Sequence, residues 1–311
     1  MSPQKTTPLK VGLLIVALAY LLFNVHSMFN LNWWGEWERI TTDPTWQFYI
    51  YIEDVVAAVG MATRLVASVI AVGAVAYYFK KGMPSTNKLY RILKAILILE
   101  AIYWFGLSAT AGVEVYTTMV IPQPSLIATL TRLMVGPIPT VMEAIVFPIV
   151  LLVLAFKLNP NKPAKTPIKW ALITGTVLLF VFWLTNTSIW ISTISYPGWS
   201  GVTNFAVNTL TFILTVFGLL ALALFTAGYT VSYSRGNSPL NLKIAGVIIL
   251  ALGMYFLWNY LAWVFFDVNN NLWSNWYAWF LGHNLDLWML SLPLFAIPLL
   301  FSRPNETASS V

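Results

Sequence analysis

The chain contains no cysteine, so disulfides, iron–sulfur clusters, thiolate-ligated haem and cysteine-bridged copper centres are excluded by ligand chemistry alone. Histidine is almost as scarce: only His26 and His283 occur. Two imidazoles do not serve a two-haem cytochrome or a haem–copper catalytic subunit, so the chain holds at most one bis-histidine haem or metal site, and no covalently bound cofactor is expected. Charge is sparse too, at 9% of residues, against roughly 25% in soluble domains. A soluble globule of this composition would precipitate.

Motifs of self-contained chemistry are missing as well. No G-x-S-x-G elbow, H-E-x-x-H pair, phosphate-binding loop or dinucleotide fingerprint occurs. No catalytic residue is therefore assigned, and within an enzyme this chain would be an accessory subunit of an oxidoreductase complex. A nucleotide-driven activity would need a partner protein.

What the chain does have is apolar length. Of its 311 residues 59% are hydrophobic, and runs of about 20 apolar residues recur, the length a helix needs to cross the hydrocarbon core. Eight such spans can be drawn, at 10–29, 55–79, 92–115, 126–156, 170–194, 205–233, 244–266 and 281–301. The first starts near Lys10, exceeds a signal-peptide core and is followed by no A-x-A-like cleavage site, so it reads as a retained helix. The expected fold is an all-α integral membrane protein: one transmembrane domain over 1–311, with about eight helices and both termini cytoplasmic. The segment 159–167, "NPNKPAKTP", reads as an extended link between four-helix halves at 1–158 and 168–302.

The orientation rests on lysine and arginine. The connections carrying Lys80, Lys81, Lys88, Lys157, Lys162, Lys165, Arg235 and Lys243 alternate with connections carrying almost none, and 14 of the 17 Lys and Arg residues fall on one side. The positive-inside rule assigns that side to the cytoplasm of a multi-pass protein in the cell membrane. The net charge of +6 and pI near 9.4 thus express topology, and no nucleic-acid partner is expected. The expected partners are membrane lipids and other membrane subunits.

Two groups of residues suggest function. The first is a buried charge cluster: Arg64, Glu100, Arg132 and Glu143 all fall within spans, where an unpaired charge costs at least a few kcal/mol. Between Arg132 and Glu143 the run Gly136, Pro137 and Pro139 is expected to break the fourth helix, because each proline removes a backbone donor. The second group lies at the opposite face, where the connections are rich in tryptophan. His26 ends the first span, His283 opens the eighth, and Asp286 follows His283 at i+3 on the same helix face. Glu36, Asp54, Trp279 and Trp288 can join them, supplying the proton acceptors and aromatic walls a quinol site needs.

The odd spans also resemble one another. "LKVGLLIVALAYLLFN", "IKWALITGTVLLFVFWLTN" and "LKIAGVIILALGMYFLWN" each run from an inner Lys to an outer Asn, at Asn24, Asn186 and Asn259, through duplication or through convergence.

The expectation is a non-redox subunit of a larger membrane complex, a respiratory one, helping to form an outward-facing site for a quinol or a lipid-like molecule. The alternative is a secondary transporter of a small solute or ion, built on the broken fourth helix with Glu100 and Glu143 as coupling groups.

Overall fold

A computed structural model describes residues 44–81, 86–120, 137–163, 165–194, 205–266 and 289–302, together with Leu126, Leu287 and single positions between Val11 and Val25. Every element among them is helical. In chain order these are α1 (Pro44–Lys81), α2 (Thr86–Val120), α3 (Pro137–Lys157), α4 (Lys165–Ile194), α5 (Phe205–Ile213), α6 (Leu219–Ser234), α7 (Leu242–Phe266) and α8 (Ile297–Phe301). A π-helical stretch, Leu214–Gly218, joins α5 to α6, and a second, Leu292–Ala296, leads into α8.

Four helical stretches are long and apolar enough to cross a membrane: Ala58–Tyr78, Lys165–Ser188, Asn208–Ser234 and Leu242–Asn259. Three of them, all but Lys165–Ser188, expose large apolar side chains. Val59, Phe217, Leu250 and Met254 are each more than half exposed. A helix that is hydrophobic all round has no water-facing side, and its backbone groups are all satisfied within the segment, as hydrocarbon surroundings require.

Side-chain contacts fix an up-and-down register. Arg64 meets Glu100, and Tyr77 meets Lys88, so α1 and α2 run antiparallel. Trp104 packs on Phe147 and Lys94 lies over Phe156, which sets α3 antiparallel to α2. Glu143 faces Thr185 and Lys157 lies over Trp170, which does the same for α3 and α4. Thr215 meets Tyr255, and Tyr229 meets Asn241, so α6 and α7 also alternate. The register gathers Lys80, Lys81, Lys88, Lys157, Lys165, Arg235 and Lys243 at one end of the bundle.

The helix α4 is the hub. Of its apolar window 61% is buried, against 28%, 28% and 22% for the other three. It packs on α3, on α6 and on the segment from Leu292 to Phe301. The closest approach is at Gly175, where an added Cβ would lie 2.5 Å from Leu294 Cγ. Glycine at this place leaves room for the Leu294 side chain against α4, the small-residue packing expected of apolar helices. A second close crossing brings Gly106 of α2 to Val56 of α1, where a Cβ would stand 3.1 Å from the Val56 carbonyl oxygen. One core runs through both halves of the chain, joining Trp104, Phe147 and Leu151 to Leu252, Leu290 and Leu294.

Two connections among the described residues are tight turns. The link expected to be extended is a turn: the Asn159 side chain accepts the Asn161 N–H at 2.9 Å, and the Lys162 N–H reaches the Asn159 carbonyl at 3.2 Å. An Asx turn satisfies backbone groups locally, and this brings α3 and α4 together over a short span. At the end of α6, Gly236 adopts φ +78°, the left-handed conformation that glycine tolerates, while the Asn237 N–H returns to the Ser232 carbonyl. Asn241 then caps α7 by accepting the Lys243 N–H at 3.0 Å.

The terminal asparagines of the odd spans share one local role. Asn24, Asn186 and Asn259 each donate their side-chain amide to the carbonyl four residues back, of Tyr20, Phe182 and Tyr255, at 2.8, 2.8 and 2.9 Å. Such a bond satisfies a polar side chain inside apolar surroundings without any partner helix. Convergence therefore has a sufficient physical cause.

Candidate functional site

The buried charges separate into two unlike environments. Arg64 of α1 and Glu100 of α2 are 2% and 3% exposed, and Arg64 Nε stands 3.2 Å from Glu100 Oε2. The guanidinium carbon also lies 3.9 Å from the Tyr103 ring centroid and 5.9 Å from that of Trp104. Arginine suits this place because its planar, weakly hydrated cation stacks on aromatic faces while it faces a carboxylate. Glu143, half-buried on α3, is held by a hydroxyl: Thr185 Oγ1 of α4 donates to Glu143 Oε1 at 2.8 Å, with the Phe182 carbonyl at 3.0 Å. By helix register Glu143 lies about two turns, or roughly 12 Å, nearer the lysine-free end than the Arg64–Glu100 pair. Arg132 lies outside the described residues.

Apart from Leu126, the described part of the fourth span begins at its prolines. The helix α3 begins at Pro137, with Pro139 in its first turn. Proline is well placed there, since the first N–H groups of a helix have no internal acceptor in any case. Gly136 is outside the described residues. Within α3 the interior proline is Pro148.

The irregular helices lie elsewhere. In the stretch Leu214–Gly218 the ladder widens by one residue, and the Leu219 N–H bonds to the Leu214 carbonyl, five residues back. Such bulges release backbone acceptors from the ordinary ladder and recur at functional sites. Here the acceptors are taken by side chains. Trp183 of α4 donates Nε1–H to the Val216 carbonyl at 2.8 Å, and Thr215 donates its hydroxyl to the Thr211 carbonyl at 2.8 Å. The hydroxyls in turn tie down two aromatic residues of α7. Trp258 Nε1 donates to Thr211 Oγ1 at 2.9 Å, and Tyr255 Oη lies 3.0 Å from Thr215 Oγ1.

Between the bulged helix and α7 lies an open groove of about 620 Å³. Gly218, Leu222 and Phe225 form one wall, and Ala251, Met254 and Trp258 the other. The small residues Gly218 and Ala251 leave the space, and the bonded Tyr255 and Trp258 hold a wall in place. All of these residues are inside the apolar windows of the two helices. The groove starts about 12 Å from Lys243, eight residues before Ala251 on α7, and extends away from the lysine-bearing end.

No family model, curated protein or solved structure matches this chain.

The tryptophan-rich outer cluster falls on positions about which the structure is silent. His26, Glu36, Trp279, His283 and Asp286 lie outside the described residues, as does Trp288. Asp54 belongs to the helical backbone of α1, with its side chain outside them. Among the described residues no group of three or more His, Asp or Glu side chains gathers in the way a metal ion requires. The groove is the feature that reasoning on spans and charges passed over. Its signals in the sequence are small: the hydroxyl pair Thr211 and Thr215 at i, i+4, followed by Gly218.

Proposed function

We propose that the chain is a multi-pass membrane protein of about eight spans, with both termini and the lysine-bearing connections cytoplasmic, and that it binds a quinol or similar lipid-like molecule in its outer half. The observation that carries this reading is the apolar groove beside Leu214–Gly218, open along its side and walled by Trp258 and Tyr255. A cavity inside two membrane-crossing windows is reached by hydrocarbon chains, and its apolar walls match an isoprenoid or acyl tail. The head of such a molecule would lie toward the connections that carry His26, His283 and Asp286. With no catalytic motif of its own, the chain would do this as a non-redox subunit of a larger respiratory complex.

Coupled transport through Glu100 and Glu143 draws less support. Glu100 lies directly against Arg64, and a carboxylate with a standing counter-charge makes a poor carrier of protons or cations.

The groove can be filled without disturbing the helices. A Cβ added at Gly218 meets nothing nearer than Leu214 Cδ2 at 3.9 Å. In Gly218→Leu the quinone retained through purification in mild detergent, measured by extraction and mass spectrometry, should fall by about tenfold or more. Helical content should stay unchanged. Retention equal to that of the unaltered protein would remove the groove from the proposal.

The topology has a direct test, because no native cysteine interferes. Asn161→Cys and Asn237→Cys, in the α3–α4 and α6–α7 turns, should resist a membrane-impermeant maleimide in intact cells and react once the membrane is opened. Labelling in intact cells would reverse the orientation.

A further inference from the structure

The cations at the lysine-bearing end do more than report orientation. In the register of the bundle, Lys94 of α2 pairs with Phe156, the residue before Lys157 of α3, and Lys157 reaches Trp170 on α4. Lys94 and Lys157 thus stand at one level on adjacent helices. They stand inward of the lysine-bearing ends of α1 and α2. The α1–α2 register sets Lys94 opposite Ile70, eight residues, or about 12 Å, inward of Tyr78, the last residue of α1's apolar window. Both side chains are half-buried, with their ammonium groups 5.9 and 4.8 Å from the Phe156 and Trp170 ring centroids. Arg91, one turn toward the helix start from Lys94, is exposed.

No carboxylate among the described residues balances them. Glu53, Asp54 and Glu114 belong to the opposite ends of α1 and α2, Glu100 is matched by Arg64, and Glu143 bonds Thr185 on the far side of that pair. The helix α3 stops at Lys157 while α2 continues for eight residues beyond the level of Lys94, back to Thr86. The register therefore leaves a step, the first turns of α2 running past the end of α3, with Arg91, Lys94 and Lys157 at this offset beside the α3–α4 turn. Ammonium groups at this depth, lying on aromatic rings and with no counter-charge among the described residues, call for an anion that itself resides at the membrane surface.

We propose that this step between the start of α2 and the end of α3 is a binding site for the phosphate headgroup of an anionic membrane phospholipid. The lysines supply the charge, the rings of Phe156 and Trp170 hold their stems in place, and the acyl chains lie along the exposed apolar surface of α3, past Ile149 and Val153. The site is at the opposite end from the groove and stands independently of what the groove binds.

Native mass spectrometry of the full-length protein, equilibrated with mixed micelles of phosphatidylglycerol and phosphatidylcholine, tests it. The unaltered protein should retain phosphatidylglycerol over phosphatidylcholine by about tenfold or more. The triple variant Arg91→Gln, Lys94→Gln, Lys157→Gln should lose that preference. Arg235→Gln with Lys243→Gln, which removes charge from the neighbouring hairpin, should keep it. Lys94→Arg with Lys157→Arg should keep it too. If the triple variant does not fold, Lys94→Gln and Lys157→Gln taken singly should each reduce the preference in part. The proposal is overturned if the two lipids bind equally or if the triple variant keeps the preference. It is also overturned if the Arg235 and Lys243 pair abolishes the preference equally, or if inorganic phosphate displaces the lipid, which would mark a free-anion site.

Discussion

Replacing Glu100 by leucine is expected to cost about 3–5 kcal/mol of folding stability, the loss typical when one member of a buried ion pair is removed. The cause is the charge left behind. Arg64 is 2% exposed on a helix inside the bundle, and its guanidinium cannot shed its proton. Arg64→Met should cost less, because the remaining Glu100 carboxyl can take up a proton and become neutral. Combining Arg64→Met with Glu100→Leu removes both charges, replaces them with side chains of similar bulk, and should recover most of the loss. Denaturant-titrated unfolding in detergent, followed by tryptophan fluorescence, reads the four members of this cycle. If Glu100→Leu and the double variant are equally unstable, the pair contributes shape and not charge compensation.

The next largest effect is expected at Gly175. In an exposed helical position, alanine is favoured over glycine by about 1 kcal/mol. Gly228 of α6, with nothing within 4 Å of an added Cβ, should follow that rule, and Gly228→Ala should stabilise. Gly175→Ala should do the opposite. Its methyl group would sit 2.5 Å from Leu294 Cγ, and Leu294 is fully buried. Forcing one methyl into such a contact typically costs about 1–3 kcal/mol. Leu294→Ala alone should cost about 2–5 kcal/mol through the cavity it opens. Joined with Gly175→Ala it should cost less than the sum, since the new methyl fills part of that cavity. A melting temperature raised by Gly175→Ala would mean that α4 and the Leu292–Ala296 stretch do not approach as described.

Helicity and the apolar character of the crossing segments were legible from residue order. A backbone surrounded by hydrocarbon must satisfy its own hydrogen bonds, and long Val, Ile, Leu and Phe runs leave the helix as the available form. The alternation of lysine-bearing connections was legible for a similar reason: charge is excluded from the apolar interior and collects at its edges, and the register places those residues at one end. Arg64 and Glu100 fall at matching depth on neighbouring spans, and the fold sets them 3.2 Å apart.

The partners of most other polar groups were not legible. The carboxylate of Glu143 is met by Thr185, one threonine among several that line α4 and α6, and nothing in spacing along the chain marks it. The prolines of the fourth span were read as an interruption, and α3 starts on them, where the missing N–H that would disrupt a helix interior is harmless. The widened ladder at Leu214–Gly218 contains no proline and left only the hydroxyls of Thr211 and Thr215 as a trace.

By itself, then, the sequence determined that this chain forms long apolar helices, which ends carry the positive charge, and that no thiolate is present to ligate a metal or form a disulfide. The tertiary structure alone decided that α4 is the hub, that Gly175 receives Leu294, and that a groove opens between the bulged helix and α7. The physical reason is that these helices are apolar all round. In a soluble helix an amphipathic stripe announces the face that will be buried, but α4 and its neighbours carry no such stripe, although 61% of one window is buried and only 22% of another. Rotation and neighbour choice are then set by close packing of small and large side chains and by a few interhelical hydrogen bonds, all of which exist only once the helices have met.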